Sequence, residues 1–151
     1  MPEKETLERA KKDKREGKSA STQAGEFVRE EIEHVREGKH GARSAKQVIA
    51  IGLSKARRAG VKLAAPEKGT VSEETREQAK RDTAKGQSAE KGKTSARRSR
   101  ASSRRLKREG QSAASKTALS RQARGAAAKR SAASRSRSAK KAAATRKKQE
   151  A

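Results

Sequence analysis

The chain contains no cysteine, no tryptophan and no tyrosine, and it has a single phenylalanine. Without cysteine it can form no disulfide framework, no thiolate metal site and no cysteine nucleophile. The lack of aromatic side chains also removes the stacking surface on which single-stranded nucleic acids are bound. These absences exclude the disulfide-rich and thiol-dependent classes of protein, and they disfavour single-strand binding.

Long apolar runs are missing as well. The longest one, Val48-Ile49-Ala50-Ile51, is far shorter than the roughly 20 residues that a membrane-spanning helix needs. The charged start of the chain, residues 1–5, lacks the apolar stretch of a secretory signal. We therefore expect a soluble protein with a cytoplasmic location and no membrane partner.

No pattern typical of catalysis or of cofactor binding occurs in the sequence. A Walker loop, a Rossmann fingerprint, a nucleophile elbow and zinc-ligand spacing are all absent. The two histidines, His34 and His40, lie on either side of Gly38, and we expect His40 to be a solvated loop residue. The sequence predicts a non-enzymatic protein with no catalytic residues, no cofactor and no metal site.

Positive charge, in contrast, is abundant, with 42 Lys and Arg against 18 acidic residues and a net charge of +24. Residues 91–151 contribute +19 of this charge, because their 21 basic residues face only two acids, Glu109 and Glu150. The only apolar side chains larger than alanine in this tail are Leu106 and Leu119. Burial of so little apolar surface cannot offset the entropy of ordering the backbone, so the composition predicts a disordered tail that is at most transiently helical.

Residues 22–63 are the one segment with core-forming character. Its first half has three apolar residues at the i, i+4 and i+7 spacing of one helix face, namely Val28, Ile32 and Val35. This pattern predicts a first helix over residues 23–37, with Thr22 as its N-cap and Gly38 as its stop.

A second helix is predicted from the capping box that begins at Ser44 and ends at Gln47, and Gly60 closes it. Gly52 lies in the middle of its apolar face, which favours close contact with another helix. The connection, residues 38–43, has a length that suits an antiparallel helical hairpin. Such a hairpin has a marginal core, so we expect that it can form a homo-oligomer.

The remaining segments lack an apolar stripe. Residues 1–21 are predicted to form a charged, marginally helical arm, and residues 64–90 a polar linker that a capping box at Thr70 to Glu73 can start as a helix. The predicted fold class is therefore mostly α with extensive disorder, in which a small antiparallel helical hairpin, residues 22–63, precedes a disordered, partly helix-prone basic tail, residues 91–151.

Two groups of basic residues are candidates for contact with a phosphate backbone. The first belongs to the hairpin and consists of Lys39, Arg43, Lys46, Arg57 and Arg58. The second belongs to the tail and consists of Arg97, Arg98, Arg100, Arg104, Arg105, Lys107, Arg108, Lys129, Arg130, Arg135, Arg137, Lys140, Lys141, Arg146, Lys147 and Lys148.

Three stretches of residues 20–63 resemble a family of small basic bacterial proteins whose core is catalogued as a domain of unknown function. The matching stretches read TQAGEFVREE from Thr22, GKHGARS from Gly38 and AIGLSKARRAGV from Ala50. Members of that family are often labelled DNA-binding, and the resemblance implies no catalytic residue. The tail is also similar in composition to linker-histone tails.

The leading hypothesis is a nucleoid-associated protein that binds duplex DNA with little base preference and neutralises or compacts it through the basic tail. Two alternatives stay open. An RNA or ribosome-associated protein would use the same tail, whose SRSRS run from Ser134 resembles Arg/Ser-rich RNA-binding segments. An adaptor would instead dock a basic partner on the acidic face of the first helix, formed by Glu26, Glu30, Glu33 and Glu37.

Overall fold

The structure, a computed structural model, describes residues 1–88 and 95–150, the last two by their backbone alone. This part of the chain contains seven α-helices and one short 3-10 helix, and 73% of its residues are helical. The helices are α1 (Lys4–Arg15), α2 (Ala20–Arg36), α3 (Ala45–Arg58), α4 (Glu73–Gln87), α5 (Ala96–Lys107), the 3-10 helix (Ser112–Ala114), α6 (Lys116–Ala128) and α7 (Ala132–Glu150).

The predicted fold class, a small helical hairpin with an extensively disordered tail, is therefore wrong. The chain divides after Ser115 into two compact units, and the first of them contains α1 to α5 and the 3-10 helix. The predicted boundary between linker and tail, at residues 90 and 91, lies outside the described residues.

Helix α2 begins three residues earlier than the sequence predicted. Its N-cap is Ser19, whose hydroxyl accepts a hydrogen bond from the amide of Thr22 at 3.3 Å, so the assignment of Thr22 as N-cap is wrong. The two hydroxyls also bond to each other at 3.0 Å, which keeps Thr22 inside the first turn. The C-terminal stop is confirmed, because Gly38 has the left-handed φ of 75° and its amide donates to Val35 O at 3.2 Å.

Helix α3 begins and ends where the capping signals placed it. The hydroxyl of Ser44 accepts from the amide of Gln47 at 3.3 Å, while the side chain of Gln47 accepts from the amide of Arg43 at 2.9 Å rather than from the cap itself. Gly60, at a φ of 95°, ends the helix, and Val61 then packs into the core. Local sequence thus determines both ends of this helix.

The close contact predicted at Gly52 is confirmed. A Cβ atom built on Gly52 would lie 2.6 Å from Val28 Cα, so the backbone of α2 occupies the space that any side chain would need. Glycine here allows α2 and α3 to approach more closely than larger side chains permit.

The first unit has two apolar clusters, one at each end of the α2 and α3 pair. The first combines Ala10, Ala24, Phe27, Ala56 and Val61, with Leu7, Ala20, Leu53 and Leu63 against it. The second combines Val35, Ala42, Val48, Ala113 and Ala114, with Ile32 against it. Within the described residues, Met1 and Val71 are the large apolar side chains left exposed. The homo-oligomer was predicted because a two-helix hairpin would leave apolar surface exposed. In the structure other segments of the same chain cover that surface, and self-association stays a prediction.

Helices α1 and α4 cover the α2 and α3 pair from outside the predicted hairpin. Arg9 of α1 pairs with Glu26 of α2 at 2.7 Å. On α4, the buried carboxylate of Asp82 accepts a hydrogen bond from Ser54 of α3 at 2.7 Å. Polar contacts of this kind do not follow a hydrophobic period, which is why neither helix was predicted to pack.

The start of the tail belongs to the first unit and docks on α2, α3 and the loop between them through small residues and the main chain. The amide of Gly41 donates to Leu106 O at 2.9 Å, and the amide of Ala42 donates to Gly110 O at 3.0 Å. Ala113 and Ala114 then enter the second apolar cluster. Disorder was predicted because large apolar residues are rare in the tail, but this docking uses alanine and backbone hydrogen bonds instead.

The second unit consists of α6 and α7. Both are rich in Ala, Lys and Arg, which have high intrinsic helix propensity, and no residue of α6 is buried. The turn between them is fixed by Arg130, whose guanidinium donates to the hydroxyls of Ser134, at 3.1 Å, and of Ser138. Propensity and capping, rather than a core, explain the helical state of this part of the tail.

We expect Gly52→Ala to lower the free energy of unfolding by about 1–3 kcal/mol, because the added methyl group collides with the backbone of α2. Chemical denaturation measures this change. Gly25→Ala is the matched control, since a Cβ at this second helical glycine has no atom within 4 Å; it should raise the stability by about 0.5–1 kcal/mol. Equal effects of the two substitutions would contradict the close helix contact.

Gly41→Ala should release α5 and the 3-10 helix from the loop between α2 and α3, because a Cβ at this position would lie 1.8 Å from Glu109 O. Amide hydrogen exchange should then show faster exchange at Gly41, Ala42 and the 3-10 helix. Gly110→Ala, where the added methyl group meets no atom within 4 Å, serves as the control. Unchanged protection in Gly41→Ala would argue against this docking.

Candidate nucleic-acid interface

Arg57, one of the predicted phosphate ligands of the hairpin, lies in the protein interior. Only 6% of the residue is exposed, and its Nη2 donates to the carbonyl of Ala64 at 3.1 Å. Burial lowers the pKa of Arg57, although the charge of Asp82 opposes this effect. The side chain therefore fastens the segment after α3 to that helix and is not available to a phosphate.

The other predicted ligands of the hairpin differ in their surroundings. Three of them pair with carboxylates of the same unit: Arg58 with Asp82 at 3.2 Å, Lys39 with Glu3 at 3.1 Å and Arg43 with Glu109 at 3.3 Å. Lys46 is exposed and, among the described residues, contacts no carboxylate. Of the five predicted residues, Lys46 is thus the one that is both exposed and without a carboxylate partner, and the structure does not assemble the five into a phosphate-binding patch.

Helix α5 carries a continuous cationic surface. At 100° per residue, its six basic residues fall on one half of the helix circumference, and all six are exposed. They are Arg97, Arg98, Arg100, Arg104, Arg105 and Lys107. Leu106, half-buried, lies on the opposite half with serines around it. We call this half of α5 the α5 basic face; Arg108, also exposed, follows it directly.

Helix α7 distributes its charges differently. At 100° per residue, its basic residues spread over about two thirds of the circumference, and all are exposed; they are Arg135, Arg137, Lys140, Lys141, Arg146, Lys147 and Lys148. Lys129 and Arg130 lie in the turn before it. The serine hydrogen bonds of Arg130 leave its charge unneutralised, because hydroxyls carry no charge.

Helix α6 adds three cations that sequence reasoning missed. Lys116, Arg121 and Arg124 are exposed and line one shallow concave surface together with Thr117 and Ser120. They stand alone in the sequence, so they do not form a visible charge cluster. The i, i+3 spacing of Arg121 and Arg124 was the available signal, because it places both on one side of a helix.

A second polar arrangement lies inside the first unit, where α2 faces α1 and α3. The carboxylates of Glu30 and Glu31 are buried, and Lys55 of α3 donates to both, at 3.4 Å to Glu30 and more closely to Glu31. Burial alone would raise the pKa of Glu30, but hydrogen bonds from Thr6 and the Glu3 amide, with the charge of Lys55, outweigh it and lower that pKa. The adaptor hypothesis needed Glu30 at the surface, and the structure places it in the interior.

Both histidines lie beside Glu31. His34 Nδ1 is 3.4 Å from Glu31 Oε1, and His40 Nε2 is 3.3 Å from Glu31 Oε2. His40 was expected to be solvated, yet only 16% of its side chain is exposed, because the glycine-rich loop folds back against α2. On its other side His34 bonds to Glu3 at 2.9 Å, and hydrogen bonds from His34 and Lys39 lower the pKa of Glu3 to about 2.

No protein-family model, curated protein or solved structure matches the chain. The family resemblance of residues 20–63 therefore stays an expectation that depends on the quoted stretches. Within residues 1–88 and 95–150, no helix is long and apolar enough to cross a membrane.

We expect Arg57→Ala to lower the free energy of unfolding by about 2 kcal/mol, because it removes a buried side chain and leaves the carbonyl of Ala64 without its partner. Lys46→Ala removes the same charge from an exposed position of α3 and should change stability by less than about 0.5 kcal/mol. Urea denaturation of both variants measures the difference. Equal stabilities would contradict the structural role of Arg57.

Proposed function

We propose that the protein is a non-enzymatic nucleoid-associated protein that binds duplex DNA with little base preference. In this proposal the binding surfaces are the α5 basic face and the exposed cations of α6 and α7. The proposed partner, duplex DNA, is the one expected from the sequence. The proposed binding surfaces differ, because they are helices rather than a disordered tail.

The proposal is based on the distribution of ion pairs along the chain. Acidic and basic residues pair in the first part of the chain, while the basic residues of α5, α6 and α7 have no acidic partner within the part of the chain that the structure describes. In residues 1–88, 15 acidic residues accompany 21 basic ones, and many of them form ion pairs within the unit. From residue 95 to residue 148, Glu109 is the only acid, and it pairs with Arg43. Among the described residues, no Lys or Arg of α5, α6 or α7 contacts a carboxylate. Such a surface needs an external polyanion.

Duplex DNA fits the dimensions of the α5 basic face. The helix is about 18 Å long at 1.5 Å per residue, and the same length of duplex carries about ten phosphates, about five on each strand. Neutralisation of each phosphate releases condensed counterions, which favours binding by lysine and arginine whatever the base sequence. The α5 basic face can therefore follow one phosphate backbone over its whole length.

The side chains on these helices also explain the lack of base preference. Base reading in the major groove uses Asn, Gln or bidentate Arg at defined positions, and stacking on single strands uses aromatic rings. Helix α5 has neither Asn nor Gln, and the only aromatic ring of Phe, Tyr or Trp type in the chain, that of Phe27, is buried in the core. Adenine readout and stacking on single strands therefore lack the side chains they need, and of these base-reading side chains α5 carries only arginine, which also binds phosphates.

Replacement of three arginines of the α5 basic face by uncharged glutamines tests the proposal. The triple variant Arg97→Gln, Arg100→Gln and Arg104→Gln should weaken binding to a mixed-sequence DNA duplex. It should also reduce the slope of log affinity against log salt by about 0.9 for each phosphate contact that is lost. Fluorescence anisotropy over a series of salt concentrations gives both quantities.

The matched control removes the same charge from the rest of the first unit, through Lys11→Gln, Lys62→Gln and Lys85→Gln. These lysines are exposed and lie outside α5. If both triple variants lose the same affinity and slope, net charge alone explains binding and the assignment to α5 fails. Preference for a structured RNA over the duplex at matched salt would instead support the RNA alternative.

A further inference from the structure

The two histidines and Glu31 form an arrangement that the nucleic-acid surfaces do not use. Glu31 and His34 are three residues apart on α2, and the loop after α2 brings His40 to the same place. One ligand atom of each residue lies within 4.8 Å of those of the other two. The side chain of Glu31 is 1% exposed, and those of His34 and His40 are 12% and 16% exposed.

The outer hydrogen bond of each ring fixes which nitrogen carries the proton in the neutral form. His34 Nε2 lies 2.9 Å from a carboxylate oxygen of Glu3, which can only accept, so Nε2 holds the hydrogen. His40 Nδ1 lies 3.1 Å from the carbonyl of Gly41, which also can only accept, so Nδ1 holds the hydrogen there. The opposite nitrogens, His34 Nδ1 and His40 Nε2, are then lone-pair donors.

Both of these lone pairs face Glu31. His34 Nδ1 lies 3.4 Å from Glu31 Oε1 and His40 Nε2 lies 3.3 Å from Glu31 Oε2. Oε1 already accepts a hydrogen bond from Lys55, but Oε2 is buried and has no hydrogen-bond partner. The two nitrogen lone pairs and the carboxylate oxygens of Glu31 repel one another unless a cation lies among them, and the unpartnered Oε2 has lost its hydration without compensation.

We propose that Glu31, His34 and His40 bind a divalent transition-metal ion, Zn²⁺ in the first place. Two ligands of one tetrahedral zinc ion lie about 3.3 Å apart, given zinc–nitrogen distances of 2.0–2.1 Å. Each histidine nitrogen lies close to this distance from one oxygen of Glu31, His34 from Oε1 and His40 from Oε2, so the carboxylate faces the ion with both oxygens. Two imidazoles and one carboxylate are a ligand set that zinc commonly accepts, with a fourth position left for water or another ligand.

The surrounding groups have the arrangement that metal-binding histidines need. Each ring donates its outer N–H to a protein oxygen, to Glu3 for His34 and to the Gly41 carbonyl for His40, which orients the ring and raises the basicity of the ligand nitrogen. Lys55 holds the carboxylate of Glu31 from the other side. The site would tie the loop of residues 38–43 to α2, beside the two amides that hold the start of the tail.

Isothermal titration of the full, chelator-treated chain with ZnCl₂ tests the proposal. We expect one zinc ion per chain, and His34→Gln and His40→Gln should each weaken the affinity at least tenfold. Glu3→Gln, which changes the outer partner of His34 and also removes the ion pair with Lys39, should weaken it by about tenfold. Glu33→Gln is the control, because this exposed residue of α2 pairs with Arg29 and lies outside the cluster; it should leave the affinity unchanged.

The histidine variants carry the test because Glu31→Gln also removes the buried partner of Lys55 and can unfold the protein. Circular dichroism of each variant confirms that it remains helical. Long-range ¹H–¹⁵N spectra of the zinc-loaded chain should show zinc on Nδ1 of His34 and on Nε2 of His40. Absence of zinc binding at micromolar concentration, affinity unchanged in both histidine variants, or coordination through the opposite nitrogens would overturn the proposal.

Discussion

The close approach of helix backbones at small residues is the constraint on which the first unit depends. Only 29% of the chain is hydrophobic and much of that is alanine, so large side chains cannot fill space between distant helices. The helices instead approach each other at glycines, which have no side chain. Gly52 of α3 lies against Val28 of α2, and Gly86 of α4 lies so close to α3 that a Cβ there would be 1.9 Å from the Arg57 carbonyl oxygen. Gly41 meets the backbone of Glu109 in the same manner. Close packing of this kind recovers dispersion contacts that a core of alanines would lose at ordinary helix separations.

Buried carboxylates supply the directional contacts between these closely packed helices. Glu30 accepts from the Glu3 amide at 3.1 Å and from Lys55 of α3, so it links α2 to the start of α1 and to α3. Asp82 accepts from Ser54 and pairs with Arg58, which links α4 to α3. Transfer of a carboxylate from water to the interior costs free energy, and its hydrogen bonds and ion pairs offset only part of that cost. These carboxylates therefore need not increase the stability of the fold. We infer that they select which faces of the helices meet, because apolar surfaces made of alanine differ little from one another.

Features that depend on a few neighbouring residues could be predicted from the sequence, and features that depend on distant partners could not. The N-cap at Ser44, the stop at Gly38 and the small apolar face around Gly52 were all correct, because each is a local pattern. The start of α2 was misplaced because Ser19 and Thr22 are both good caps and bond to each other. The burial of Glu31 beside two histidines and the docking of Ala114 both depend on contacts between segments that are remote in sequence. Periodicity contains no information about these contacts.

The position of the 3-10 helix has a consequence for the order in which the protein folds during its synthesis. Its residues complete the apolar cluster around Val35 and Val48, and Arg36 donates to the carbonyl of Ala114 across a sequence separation of 78 residues. Helices α1 to α4 form contacts with their neighbours in sequence, so they can assemble as soon as they leave the ribosome. The end of the α2 and α3 pair that contains Val35 and Val48 then stays exposed to solvent until Ala114 has been translated and has left the ribosome. A ribosome that stalls within α5 would therefore hold a protein whose apolar interior is exposed at the end of the α2 and α3 pair that contains Val35 and Val48.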